Sequence, residues 1–247
     1  MKCIPPYRKT TSKARGLIRR ISVVIPVYRE REHVNEAISH LRRQGWPGGL
    51  EVIVVDGEQS GTTLRAIRDA GVKTAVASGG RGAQMNAGAA SARGEMLLFL
   101  HADTRLPPNG LSLASDLLVS HGRLAGAFLL GIASPRPALR AVAAVANVRS
   151  RLMRIPYGDQ ALFFRTEIFH AAGGFRNIPI MEDVELMRRL RRMGIRIGFV
   201  NARVSTSARR WHREGVVYTT LRNWTLLTLF WLGVSPRRLA RYYRPLA

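Results

Sequence analysis

The chain has 247 residues, 46% hydrophobic and 22% charged, which suffices for one large domain with a full core or for about 200 folded residues with appendages. No repeat or low-complexity tract is visible, and the single cysteine, Cys3, excludes an intrachain disulfide framework and points to a reducing compartment. Against 16 acidic residues stand 39 basic ones, a net charge of +23, which invites a polyanion: nucleic acid, an anionic membrane surface or a phosphorylated substrate.

In chain order, residues 1–20 carry seven basic groups and no acid, and read as a basic tail. Residues 21–27, Ile-Ser-Val-Val-Ile-Pro-Val, predict a buried strand, followed by a helix from about Glu30 to Gln44 and a turn at 45–49. A strand over 51–55 ends at Asp56. A helix near 61–70, a short strand near 72–77, a glycine-rich loop over 79–82, a helix over 83–92 and a strand over 95–100 follow. This alternation predicts an α/β fold with a parallel sheet flanked by helices. The second half predicts helices near 110–120, 136–153 and 182–193 and strands near 125–132, 160–165 and 195–200, a mixed layout with one core and no linker. The domain is therefore expected over 21–212, with residues 213–247 as a helical tail.

Within that tail, residues 223–236 are the most lipid-like. Their 14 uncharged positions fall short of the roughly 20 needed to span a bilayer. An interfacial helix with Trp224 and Trp231 at headgroup level, an ordinary core helix and a spanning helix remain the three readings. The basic N-terminal stretch is not followed by an apolar run and cleavage site, so a cytoplasmic protein is expected, with peripheral contact at the inner membrane face.

Chemistry concentrates at the strand ends. Leu97-Leu98-Phe99-Leu100 runs straight into His101-Ala102-Asp103, and Val52-Ile53-Val54-Val55 into Asp56. In open α/β sheets the carboxyl ends of strands face ligands, so two carboxylates at one edge suit a metal-held diphosphate and a nucleoside; each is equally placed to cap its own turn. The loop Gly79-Gly80-Arg81-Gly82 lacks the third glycine of a G-x-G-x-x-G fingerprint, which argues against a dinucleotide-binding dehydrogenase. It leaves an anion site built from backbone N–H groups and the Arg81 guanidinium. Glu182-Asp183 opens a helix on which Asp183, Met187 and Leu190 share a side. Asp183 is then a general base facing a cleft or an acid placed to satisfy the helix dipole.

These pieces resemble a family 2 glycosyltransferase of the GT-A fold over residues 20–212. Pro26-Val27-Tyr28-Arg29-Glu30 is similar to the family's opening P-x-Y-N-E, with arginine in place of the usual asparagine. The resemblance makes Pro26, Tyr28, Glu30, Asp56, Arg81, Gly82, Gly158 and Asp159 the nucleotide-sugar contacts. His101-Ala102-Asp103 stands at the D-x-D position with its first aspartate replaced; the resemblance implies Asp103 as ligand to Mg²⁺ or Mn²⁺, with His101 and His212 as further candidates. Met181-Glu182-Asp183 resembles the x-E-D motif, which makes Glu182 and Asp183 the catalytic carboxylates and Asp183 the base. The run Thr206-Ser207-Ala208-Arg209-Arg210-Trp211 is similar to that of the bacterial arsenosugar-biosynthesis or selenodomain-associated subgroup.

The resemblance implies metal-dependent, inverting sugar transfer from a UDP-, GDP- or dTDP-linked donor to an acceptor that the motifs do not identify, with the C-terminal tail available to an anionic membrane. Two rivals are a nucleotidyltransferase acting on a sugar phosphate, disfavoured by the lack of a lysine-bearing G-x-G-rich first loop, and a basic nucleic-acid-binding protein. The latter rests on charge alone, since no helix-turn-helix, zinc or aromatic ribonucleoprotein signature is present, and no nucleic-acid partner is expected.

Overall fold

The computed structural model describes residues 16–243, so most of the predicted basic tail over 1–20 lies outside the described residues. In chain order the elements are β1 (Arg20–Val27), α1 (Val34–Arg42), β2 (Gly49–Asp56), β3 (Lys73–Val76), α2 (Arg81–Ser91), β4 (Met96–Phe99), β5 (Thr104–Arg105) and α3 (Gly110–Val119). Then follow β6 (Ala125–Leu129), β7 (Ile132–Ala133), α4 (Pro137–Met153), β8 (Phe163–Arg165), α5 (Thr166–Ala171), α6 (Glu182–Arg192), β9 (Gly198–Arg203), β10 (Ser205–Ser207), α7 (Arg209–Glu214), α8 (Val216–Trp231) and α9 (Pro236–Leu239).

Seven strands form one mixed sheet in the order β3-β2-β1-β4-β8-β6-β9, and β5-β10-β7 form a small second sheet. The strands β3, β2, β1 and β4 run parallel, as the alternation of the first hundred residues predicts, while β8 is antiparallel to both its neighbours. The apolar runs are continuous because both faces of the sheet are covered. Val24, Val55, Leu97 and Phe99 enter one core cluster and Val23, Val52, Val54 and Leu98 the other, the period-two alternation of a strand buried on both sides.

Helix α2 is stitched to this sheet by side-chain amides. Gln84 Nε2 donates to the carbonyls of Val27 (2.6 Å) and Val55 (3.0 Å) at the carboxyl ends of β1 and β2. Asn86 grips the backbone of Phe175 through both its amide atoms. Close approach also needs a missing side chain, because a Cβ on Gly88 would run into Val24 Cγ1 and lie 3.2 Å from Val55 Cγ2.

Three expectations are corrected. The helix near 61–70 shrinks to one 3-10 turn, Leu64–Ala66. Its backbone is claimed from outside: Asn35 Nδ2 donates to the Ala66 carbonyl (2.7 Å), and Asn35 Oδ1 accepts from Arg68 N–H (3.0 Å). The strand near 125–132 breaks after Leu129, where the Asn147 amide takes both the N–H and the carbonyl of Leu130. Its last residues join the second sheet as β7. Helix α5 was not anticipated. The lipid-like segment lies largely in α8, where Leu226, Leu227 and Phe230 are buried in the same cluster as Val184 and Leu190 of α6. Among the described residues no helix is long and apolar enough to cross a membrane.

Replacing Gly88 with alanine tests the α2 seat. Helix propensity favours alanine by about 1 kcal/mol, but overpacking a β-branched neighbour costs about 1–3 kcal/mol. We expect a net loss, read as a lower midpoint in urea unfolding; a gain would mean that the helix is not pressed against β1.

Candidate functional site

The parallel register brings the carboxyl ends of β1, β2 and β3 level, with Val27 opposite Asp56 and Asp56 opposite Val76. Beside them β4 runs out at Phe99 and delivers Leu100, His101 and Asp103 to the same edge. From the far side α6 presents its first residues, and Gly158 joins the two. Gly158 N–H donates to Asp183 Oδ2 at 2.7 Å, and a Cβ on Gly158 would lie 3.2 Å from His101 Nε2 and 3.5 Å from Asp183 Oδ2. Even an alanine at 158 would press on the His101 ring by a few tenths of an ångström.

Six of the candidate residues line one cavity: Pro26, Arg81, His101, Gly158, Glu182 and Asp183. Asp103 and His212 line a second cavity with Arg209 and Arg105. His101 and Asp103, which the D-x-D comparison pairs, thus face different cavities. Asp159 sits beside the first, with its Oδ1 buried and without a hydrogen-bond partner. Gly82 approaches the Arg176 carbonyl so closely that a Cβ there would lie 2.7 Å from it. Tyr28 is 41% exposed. Asp56 is fully buried, and its two oxygens accept the N–H groups of Glu58 (2.9 Å) and Thr63 (3.2 Å), so it holds the 57–63 loop in place.

Burying acids together has an electrostatic cost that shows in their titration. Burial, and then the adjacent Asp183, push Glu182 up to about 7, against the Arg81 guanidinium 4.0 Å away. Burial, and then Asp183, push Asp159 up to about 6. Burial, followed by the positive charge of Arg81, pulls His101 down to about 3, so its imidazole is neutral at ordinary pH. The Asp183 carboxylate is fixed by two backbone donors, Gly158 N–H and Val184 N–H, each at 2.7 Å.

Arg209 carries a role the sequence did not assign. Its Nη1 and Nη2 pair with both oxygens of Glu30, and its Nε lies 3.2 Å from Asp103 Oδ2. One guanidinium therefore links the start of the chain, the end of β4 and the first residue of α7. The Arg-Arg-Trp run was the visible signal, but nothing in it says which arginine turns inward.

Among the described residues no three His, Cys, Asp or Glu side chains gather round one point. A magnesium-type ion commonly takes only one or two carboxylates and completes its shell with substrate phosphates and water. Asp103, with His212 in the same cavity, is such a partial set, but its Oδ2 already faces the Arg209 guanidinium at 3.2 Å, which an ion shared with a diphosphate would have to displace; His101 lines the other cavity.

Residues 22–176 match glycosyl transferase family 2. The chain belongs to that family. Its fold is the GT-A arrangement, shared with S. aureus TarS 1–349, which superposes with a TM-score of 0.60 at 18% identity over 82% of this chain and 63% of that chain. The mannosyltransferase PcManGT from Pyrobaculum calidifontis, solved with GDP-Man and Mn²⁺, gives 0.59 at 21% identity over 77% of this chain and 57% of that one. TarS 1–349 in complex with UDP-GlcNAc gives 0.59 at 19% identity over 76% and 58%. The chain thus spans about six-tenths of the length of these structures, and at such identities the likeness shows the fold alone. No curated protein matches the chain. The family match ends before α6, so Glu182, Asp183 and Arg209 stand outside it.

Raised carboxyl groups bind protons more tightly in the folded chain than in the unfolded one, so the share of stability that Asp159 and Glu182 contribute is lost as pH rises from ordinary carboxylate values towards about 7, while the lowered His101 acts in the opposite sense over the lower part of that range. Relative to the parent, the double variant Glu182→Gln, Asp159→Asn should gain Tm progressively between pH 5 and pH 7.5, by at least about 2 °C at the upper end. Parallel Tm profiles for the two proteins would mean that neither acid titrates abnormally.

Proposed function

We propose that this protein transfers a glycosyl group, with inversion, from a nucleotide diphosphate sugar to an acceptor nucleophile. The observation that carries the reading is the meeting of Asp183, Glu182, Arg81 and His101 round one cavity at the carboxyl edge of the sheet, in a member of glycosyl transferase family 2. The donor is a UDP-, GDP- or dTDP-linked sugar; two solved relatives of the same fold carry UDP-GlcNAc and GDP-Man.

Asp183 acts as the base. Two backbone N–H groups hold its carboxylate in one orientation, and it takes the acceptor's proton as the acceptor oxygen bonds to the anomeric carbon and the diphosphate leaves. Glu182, raised to about 7 and next to Arg81, keeps the pocket from accumulating a second full negative charge. Arg81, at the first residue of α2, meets the diphosphate together with the helix N–H groups. Asp56 acts through the loop it holds, Tyr28 offers an exposed ring to the nucleoside, and Pro26, Gly82 and Asp159 shape the pocket wall. Asp103, with His212, would hold Mg²⁺ or Mn²⁺, which supplies charge neutralisation to the departing diphosphate. The 206–211 run supports a place among the arsenosugar-biosynthesis or selenodomain-associated glycosyltransferases.

Nucleotide sugars screened by thermal shift, with and without Mn²⁺, identify the donor, since a ligand that binds only the folded state raises Tm. With that donor, Asp183→Asn should retain binding while turnover falls at least about a hundredfold. Full turnover in the variant removes Asp183 from the reaction, and release of pyrophosphate from nucleoside triphosphate and sugar phosphate would make the protein a nucleotidyltransferase.

A further inference from the structure

Helices α4 and α8 come from distant parts of the sequence, pack against each other and turn apolar faces outward. On α8 the buried residues Thr219, Leu226, Leu227 and Phe230 define the inner side. Opposite them stand Val217, Tyr218, Leu221, Trp224, Thr225 and Thr228, all exposed and none charged. The helix's one charged residue, Arg222, is turned away to Glu214 at 2.8 Å. On α4 the inner side is Leu139, Ala143, Asn147 and Ser150, and the outer side carries Val145, Val148 and Leu152, the last 80% exposed. A soluble surface helix normally puts its charges opposite its buried stripe; here two neighbouring helices do the reverse.

The charge around them has one sign. Residues 117–158 contain six arginines and no acid, and beyond Glu185 the only acid is Glu214, whose carboxylate is already bonded to Arg210 and Arg222. Arg140, Arg151 and Arg154 flank the α4 face, and Arg237, Arg238 and Arg241 follow α8; all six are exposed.

We propose that the outer faces of α4 and α8 seat the protein on an anionic lipid bilayer, with the apolar side chains entering the interface and the arginines meeting acidic headgroups. A second copy of the chain is the poorer occupant, because a two-fold interface brings the same arginines together with no acid between them. Nucleic acid would use the arginines but not the apolar strip. A bilayer uses both, and Tyr218 and Trp224 are the side chains suited to its boundary. Docking would also bring the cavity to the lipid surface: α4 leads within five residues to Gly158, and α8 follows α7, which begins at Arg209. The inference stands apart from the transfer reaction and is read without it.

The test is co-sedimentation of the full chain with phosphatidylcholine vesicles, with and without phosphatidylglycerol. Leu221→Ser/Trp224→Ser and Val148→Ser/Leu152→Ser leave net charge unchanged and alter only exposed side chains, so a melting curve like the parent's confirms their folding. We expect binding to the acidic vesicles alone, weakening with added salt, and a fall of about tenfold or more in each pair of substitutions. Failure to bind acidic vesicles would overturn the inference. So would serine variants that bind like the parent, which would leave only unspecific charge attraction, or a dimer in solution that the same substitutions split.

Discussion

Holding negative side chains together inside a strongly basic protein is the constraint on which the site depends. Of 16 acidic residues, Asp103, Asp159, Glu182 and Asp183 lie within electrostatic reach of Arg81 or of one another at one edge of the sheet. Left alone they would repel one another and lose hydration. Backbone N–H groups fix Asp183, Arg81 opposes Glu182, and Arg209 covers Asp103 while gripping Glu30. What burial still costs appears as raised proton affinity at Glu182 and Asp159. Cations and buried acids therefore stand side by side at that edge, each neutralising part of the other's charge.

The parallel half was legible because β1, β2 and β4 are buried on both faces, which writes unbroken apolar runs into the sequence and places a polar residue soon after each run stops. Asp56 and Asp103 were found that way, as was the edge they share. The second sheet was not, since strands of two or three residues such as β5, β7 and β10 carry no period to detect. The 3-10 turn at 64–66 was mistaken for a helix because its competitor, the Asn35 side chain, lies about thirty residues away. Arg209 was hidden among arginines, and Gln84 looked like any polar residue of a surface helix. Long-range hydrogen bonds leave no mark on local pattern.

Several residues bordering the site sit on backbone that most side chains avoid. Arg29 has φ 57°, Met181 φ 64° and Ala161 φ 47°, next to Tyr28 and Glu30, Glu182, and Gln160 respectively. The left-handed region admits asparagine more readily than arginine, so Arg29 is a costlier occupant of that turn than asparagine would be. Met181 turns the chain so that α6 starts with two acids aimed at the cavity. Local strain of this kind persists where surrounding packing over-determines it, and Met181 is packed against the core cluster that contains Phe99, Phe169 and Phe175.

The Arg209 bridge has a consequence for how the chain divides. Glu30 and Asp103 lie in the 22–176 span that matches the family, and their shared counter-charge lies 33 residues beyond its end. β9 completes the main sheet from outside that span as well, and α6 and α8 close one of its cores. A fragment cut at the family boundary would expose an open sheet edge, strip one core of its cover and leave two carboxylates without their common guanidinium. The unit recognisable by homology is smaller than the unit that shares one sheet and one set of cores, so a transplant that keeps these contacts keeps the later segments with the first.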